Sequence, residues 1–146
     1  AVQQPLKVNQ LQLSAAFTPS FEAGFHVNME GPKAAVRDGS VFEYCRLTDT
    51  VIQAWSVLQH GYFKGNFVGK EEFAALNHVL NDLAKKYQVT PTAIALAWVL
   101  RYPGKMQAVI GTTKPQHVLE VGKAAAVTLT RKEWYQIYLA AGNDLP

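Results

Sequence analysis

Three short segments of the sequence carry residues that can do chemistry. The sharpest is Val109-Ile110-Gly111-Thr112-Thr113-Lys114-Pro115, an apolar run that passes through a glycine and two hydroxyls into a helix start. The N–H groups of a helix's first turn lack partners and are partly positive, so an anion is stabilised there. Gly111 permits close approach, Thr112 and Thr113 can donate, Lys114 adds charge, and His117 follows one turn on. A plain strand-to-helix turn with a capping threonine has the same local pattern, so both readings stand at this point. In Val8-Asn9-Gln10 a pair of amides ends a strand-like run. Amides at the carboxyl end of a parallel strand can hold a planar amide-bearing ligand, or can bond to nearby loops. Trp55-Ser56 closes another apolar run. An indole there can stack on a heteroaromatic ring with Ser56 bonding beside it, or can be a core tryptophan next to a loop serine.

Other reactive groups do not assemble. His26, His60, His78 and His117 show no metal-ligand spacing with one another or with Cys45. Cys45 reads as a small core thiol. There is no Gly-x-Ser-x-Gly, no Gly-x-Gly-x-x-Gly and no close acidic pair that reads as an acid/base couple. Tyr62, Phe63 and Phe67 lie among Gly61, Gly65 and Gly69, in a loop that can be a binding lip or simple aromatic packing.

The elements that would position these residues follow from the hydrophobic period. Residues 7–14 alternate as a strand, with Val8, Leu11 and Leu13 apolar. Residues 15–37, with Pro19, Gly24, Gly31 and Pro32, read as a long irregular connection. Ser40 and Glu43 form a capping pattern for a helix on which Val41, Tyr44 and Cys45 share a face. Residues 51–55 read as a buried strand and 57–70 as a glycine-rich loop. Phe73, Leu76, Leu80, Leu83 and Tyr87 make one helical stripe, with Glu71 and Glu72 at its start and Lys85 and Lys86 at its end, each sign favourable to the helix dipole. Thr90-Pro91 starts a second helix, apolar nearly all round through residue 102 and therefore deeply buried. Residues 106–110 are strand-like. A helix follows from Pro115 to about residue 125, and Thr130 with Glu133 caps a last one ended by Gly142. Strands separated by helices imply parallel pairing, so the class is α/β.

Composition agrees. Of 146 residues, 49% are hydrophobic and 17% charged, which excludes a disordered chain and fits one domain. No apolar run reaches the ~18–20 residues of a membrane span, and residues 1–10 lack the basic start and apolar stretch of a signal peptide. The net charge of +3 is mild and its basic residues are scattered, which argues against a nucleic-acid partner. A single cysteine allows no internal disulfide and points to a reduced, cytoplasmic setting.

In their order and spacing these segments resemble the C-terminal half of an aldo-keto reductase. The resemblance rests on Val8-Asn9-Gln10; on Glu43-Tyr44-Cys45-Arg46 before a strand ending Trp55-Ser56-Val57-Leu58; and on Leu83-Ala84-Lys85-Lys86-Tyr87. It rests also on Thr90-Pro91-Thr92-Ala93 leading to Ala95-Leu96-Ala97-Trp98-Val99-Leu100, and on Gly111-Thr112-Thr113-Lys114-Pro115 with Glu120 beyond. The ending Ala140-Ala141-Gly142-Asn143 is similar to the bacterial oxidoreductase branch. The resemblance implies the C-terminal portion of a (β/α)8 TIM barrel: about three βα units and a C-terminal helix, with residues 1–146 as one incomplete barrel domain. It implies NADP(H) as cofactor and hydride transfer between cofactor and a carbonyl or alcohol. Gln10 would hold the nicotinamide carboxamide, Trp55 would stack on the ring, and Ser56 and Leu58 would line the pyrophosphate path. Gly111, Thr112, Thr113, Lys114 and His117 would surround the adenosine 2′-phosphate, with Glu120 near the adenine. The family pattern often has Arg where this chain has His117 and Asn where it has Val121, which weakens the expectation of NADP over NAD.

The family's catalytic Asp, Tyr, Lys and His all lie in the half of the barrel that this chain does not match, so no catalytic residue is expected among the 146. A complete barrel needs about 250 residues or more. The expected state is therefore a fragment of a reductase whose open strand edges drive self-association or pairing with a chain carrying the missing half. A non-catalytic nucleotide-binding or regulatory half-barrel is the alternative function. An unrelated α/β domain with an incidental anion site is the third reading.

Overall fold

A computed structural model describes residues 4–20, 40–61 and 64–145. The expected long connection falls largely outside these residues, as do His26, Tyr62 and Phe63. Three parallel strands form one sheet in the order β1 (Val8–Gln12), β2 (Val51–Trp55), β3 (Met106–Ala108). The helices are α1 (Ser40–Leu47), α2 (Ala74–Tyr87), α3 (Pro91–Leu100), α4 (Pro115–Gly122) and α5 (Arg131–Ala140). The helix expected to run to about residue 125 gives way to a 3-10 turn over Lys123–Ala126. The α/β class is borne out, as a partial barrel with three strands and five α-helices among the described residues.

Strand pleat sorts the sheet's residues onto two faces. Ile52 and Ala54 are fully buried against the helix layer, and their register partners Asn9, Leu11, Met106 and Ala108 share that face. Asn9 reaches α1, with Nδ2 3.8 Å from the Cys45 Sγ. On the other face Gln10, Gln53 and Gln107 stand side by side in register. Gln10 Nε2 donates to Gln53 Oε1 at 2.8 Å and Gln53 Nε2 to Gln107 Oε1 at 2.9 Å, a ladder of amides across all three strands. Gln10 and Gln107 are exposed.

The core is built on α3, whose residues from Ala93 to Val99 are all buried. Thr90 caps it by accepting from the Ala93 N–H at 3.2 Å, and Pro91 occupies the first turn. Trp98 stacks on Trp134 of α5 with centroids 4.8 Å apart, and Tyr138 also stacks on Trp134 at 5.7 Å. Each indole N–H donates to the other tryptophan's backbone carbonyl at 3.0 Å. The stripe on α2 behaves as its spacing predicts: Leu76, Leu80 and Leu83 are buried, with Phe73 and Tyr87 half-buried at its ends. On α1 the pattern fails. Cys45 is buried with Phe42, whereas Val41 and Tyr44 are exposed.

Glu133 ties α5 to α2. The capping box is complete: Thr130 N–H and Oγ1 both donate to Glu133 Oε2 at 2.8 Å, and the Glu133 N–H donates to Thr130 Oγ1 at 3.3 Å. From α2, Tyr87 Oη donates to Oε2 at 2.8 Å and Lys86 Nζ pairs with Oε1. Burial opposes the charge on Glu133, but these donors outweigh it and hold the carboxyl at about 2, below its ordinary 4.5. With the folded pKa depressed, the stabilisation is present above about pH 4.5 and is lost as pH falls toward 2. Linkage puts it at no more than about 3 kcal/mol. Thermal unfolding between pH 6 and pH 3 should show a falling midpoint in the native chain and a much flatter profile in E133Q. Parallel profiles for the two would contradict this assignment.

Candidate functional site

The loops leaving the carboxyl ends of β2 and β3 open into a cleft of about 500 Å³. This size lies within the roughly 300–1,000 Å³ of small-molecule sites. Trp55, Ser56, Val57, Leu58 and Gln59 line one side; Val109, Ile110, Gly111, Thr112, His117, Glu120 and Val121 line the other; Asn66 and Thr92 complete it. Seven of the ten residues singled out in the sequence are thus brought together: Trp55, Ser56, Leu58, Gly111, Thr112, His117 and Glu120.

The β2 side is a constrained turn. Ser56 has a φ of 53°, a left-handed conformation uncommon for serine, and its Oγ donates to Gln59 Oε1 at 3.1 Å. The Gln59 carbonyl accepts from Ser14 Oγ at 2.6 Å, and residue 59 bridges to 66 across the glycine-rich loop. Buried Asn77 of α2 anchors that loop: its Oδ1 accepts from the Gly69 N–H at 2.8 Å, and its Nδ2 faces the carbonyls of Phe67, Lys70 and Phe73. Gln59, Asn66 and Asn77 belong to no motif of the sequence, and Thr92 lies in the Thr90–Ala93 segment with no site role expected of it. The bridge between residues 59 and 66, and the reach of Asn77 over eight residues, appear only in the fold.

The β3 side is a tight passage into α4. Thr112 Oγ1 accepts from the Lys114 N–H at 3.2 Å and lies 3.5 Å from His117 Nδ1. Lys114 stands at the N-cap without a side-chain cap bond, so no threonine caps α4 directly. A Cβ built on Gly111 would meet no atom within 4 Å, and its φ is not in the left-handed region. Neither packing nor backbone geometry requires glycine at 111, yet open space remains beside it on the cleft wall. Gln116 Nε2 donates to Glu120 Oε1 at 3.4 Å on the exposed surface of the helix.

The other three residues lie off the cleft lining. Gln10 is in the amide ladder on the open sheet face, and Thr113 and Lys114 are exposed at the rim. Near Trp55, its register partner Gln12 carries a buried amide nitrogen with no partner among the described residues. Among the described residues no group of three metal-ligating side chains occurs and no helix is long and apolar enough to cross a membrane.

The fold and cleft can be set beside known proteins. The model of the aldo/keto reductase family matches residues 28–140. The 6-dehydroglucose reductase of Agrobacterium fabrum is 30% identical over 147 residues, covering 99% of this chain and 42% of that protein. The 6-dehydroglucose reductase of Novosphingobium aromaticivorans is 28% identical over 94 residues, 64% of this chain and 30% of its own length. Among solved structures, the thermostable aldo-keto reductase Tm1743, in complex with the inhibitor epalrestat, superposes with a TM-score of 0.64 at 22% identity, over 94% of this chain and 41% of that one. A Gox0644 mutant in complex with NADPH gives 0.57 at 16% identity, over 92% and 38%. The chain therefore spans less than half the length of each of these relatives.

Proposed function

Since the chain belongs to the aldo/keto reductase family, we propose that it supplies the last three βα units of an NADP-dependent carbonyl reductase and, with them, one wall of the cofactor cleft. The observation that carries this reading is the gathering of seven of the ten expected residues, from two strand ends, around one cleft. Barrel enzymes place their sites at the carboxyl ends of the strands, where this cleft opens. The residues fit the group. Trp55 offers a half-buried ring for the nicotinamide, and Ser56 and Leu58 lie along the way to the phosphates. Gly111 leaves room for close approach, and Thr112 and His117 face that room. Thr113 and Lys114 at the rim, with their exposed donors, would meet the 2′-phosphate from outside, and Glu120 the adenine. Gln10 would turn its amide from the ladder to the carboxamide.

NADP(H) would supply the hydride that passes to a small-molecule carbonyl. The residues of this chain bind and orient it; the proton donor belongs to a part of the barrel outside the 146 residues. With His117 and Val121 where the family pattern has Arg and Asn, preference for the 2′-phosphate rests on Thr112, Thr113 and Lys114.

Gly111 gives the cleanest test, because a Cβ added there meets none of the protein's own atoms within 4 Å. G111V should keep the thermal midpoint of the native chain and weaken NADPH binding by about tenfold or more, the ratio expected when a ligand is held off a backbone it must approach. Unchanged affinity with an unchanged fold would remove Gly111 from the site.

The exposed apolar residues fit a missing half. Leu47 of α1 is 86% exposed and Leu119 of α4 is 74%, and Leu6 and Val8 are exposed at β1. These residues belong to the first and last βα units of the series, and among the described residues β1 and β3 leave the two sheet edges unpaired. Such apolar surface marks an interface. We assign it to the rest of the barrel, in a longer chain, a companion chain or a second copy.

A further inference from the structure

At the other end of the sheet lies a second hollow, of about 280 Å³, between the end of α3 and the start of α5. It is lined by Arg101, Tyr102, Pro103, Arg131, Trp134 and Tyr135. Residues 101–103 lead into the amino end of β3, whereas the cofactor cleft opens beyond its carboxyl end, so the two sites are separate. We propose that this hollow is a binding site for a small planar aromatic carboxylate. The inference is independent of the cofactor reading.

Three observations carry it. First, among the described residues the hollow's lining has two arginines and no acidic residue. Arg101 is held by its Nε, which donates to the Leu129 carbonyl at 2.9 Å, so its forked terminal nitrogens point their donors elsewhere. Arg131 lies over the Tyr135 ring, 5.7 Å from its centroid. Neither arginine forms an ion pair among the described residues. A planar carboxylate is the anion that a guanidinium fork matches with two parallel hydrogen bonds. Second, the remaining lining is aromatic or apolar: Tyr102, Pro103, Trp134 and Tyr135. Flat rings pack on such walls, and a ring between them and the guanidinium planes gains from both. Third, the wall is already rigid. Trp134 is locked by its stack on Trp98 and by the paired indole-to-carbonyl bonds, and Tyr102 is fixed edge-on to Phe42 at 4.8 Å. A preformed pocket loses little freedom when it is filled. The volume suits one or two fused rings and excludes a dinucleotide.

The test is titration of the 146-residue chain with 2-naphthoate, with 2-naphthalenemethanol as a neutral partner of the same shape. The three indole N–H signals in a ¹H–¹⁵N spectrum locate the ligand. The expected result is saturable binding of the acid that shifts the Trp134 signal and leaves Trp55 in place, about tenfold or more tighter than the alcohol. R101Q and R131Q should each weaken the acid and leave the alcohol unchanged. Should R101Q unfold through loss of the Leu129 bond, R131Q alone decides, since Arg131 is exposed and makes no backbone bond. Equal affinity for acid and alcohol, a shift confined to Trp55, no saturation at millimolar acid, or unaltered binding by R131Q would overturn the proposal.

Discussion

Mixed with NADPH and an aldehyde, the 146-residue chain should oxidise no cofactor above the uncatalysed rate. Addition of a chain carrying the first five βα units should then raise the rate by about a thousandfold or more. The family's acid and its orienting groups lie in those units, and a positioned general acid alone contributes on the order of 10²–10⁴. Among the described residues, this chain's cleft lining holds one imidazole, His117, one carboxylate, Glu120, and no tyrosine or lysine. Glu120 is engaged by Gln116 and His117 by Thr112, and both stand on α4, on the side assigned to the adenosine end of the cofactor. Association should be driven by the apolar residues of α1, α4 and β1 and by the free edges of β1 and β3. The sign of the mutational effect follows: L47E together with L119E should weaken recovery of activity while raising the solubility of the lone chain. Turnover by the purified lone chain, or a confirmed complex of the two halves without turnover, would contradict this division of labour.

The second large effect is on stability. W98A should lower the thermal midpoint by about 10 °C. Trp98 is the largest of the fully buried side chains. Truncation of a buried aromatic to alanine costs roughly 3–5 kcal/mol, through lost contacts and the cavity left behind. It also removes the donor to the Trp134 carbonyl. For a domain of this size each kcal/mol moves the midpoint by about 2–4 °C. W98F keeps most of the volume and a ring to stack, losing the N–H and part of the indole, so it should cost about a third as much. Because Trp134 also walls the second hollow, W98A should abolish 2-naphthoate binding there, whereas W98F should keep most of it. A midpoint shift below about 2 °C for W98A would mean that α3 and α5 are held together by something other than this stack.

The legibility of the fold in the sequence follows the range of the interactions. Local signals are legible: Thr90-Pro91 marks a helix start, Thr130 with Glu133 a capping box, and the all-apolar α3, the stripe on α2 and the strand from Val51 to Trp55 follow from their periods. The reading of α1 failed because a helical face shows which residues share a side and not which side is covered. Val41 and Tyr44 are exposed in this chain, and its open flank would be covered in a complete barrel. The position of Gln10 was legible but its neighbours were not. Its bond to Gln53, 43 residues away, depends on register, and register is fixed by strands that the sequence does not align. The cleft was found through its motifs at β2 and β3. Gln59, Asn66 and Asn77 escaped because they act through a loop held by single amide bonds across several residues, which leaves no periodic trace.

Titration of the unmodified chain with NADPH, followed by heat and by Trp55 fluorescence, asks directly whether the cleft takes the cofactor. The expected result is one site, saturating at or below about millimolar cofactor because one wall alone does the holding, with quenching of Trp55 that is lost in W55F. No heat and no fluorescence change at millimolar NADPH, with the chain still folded, would contradict it.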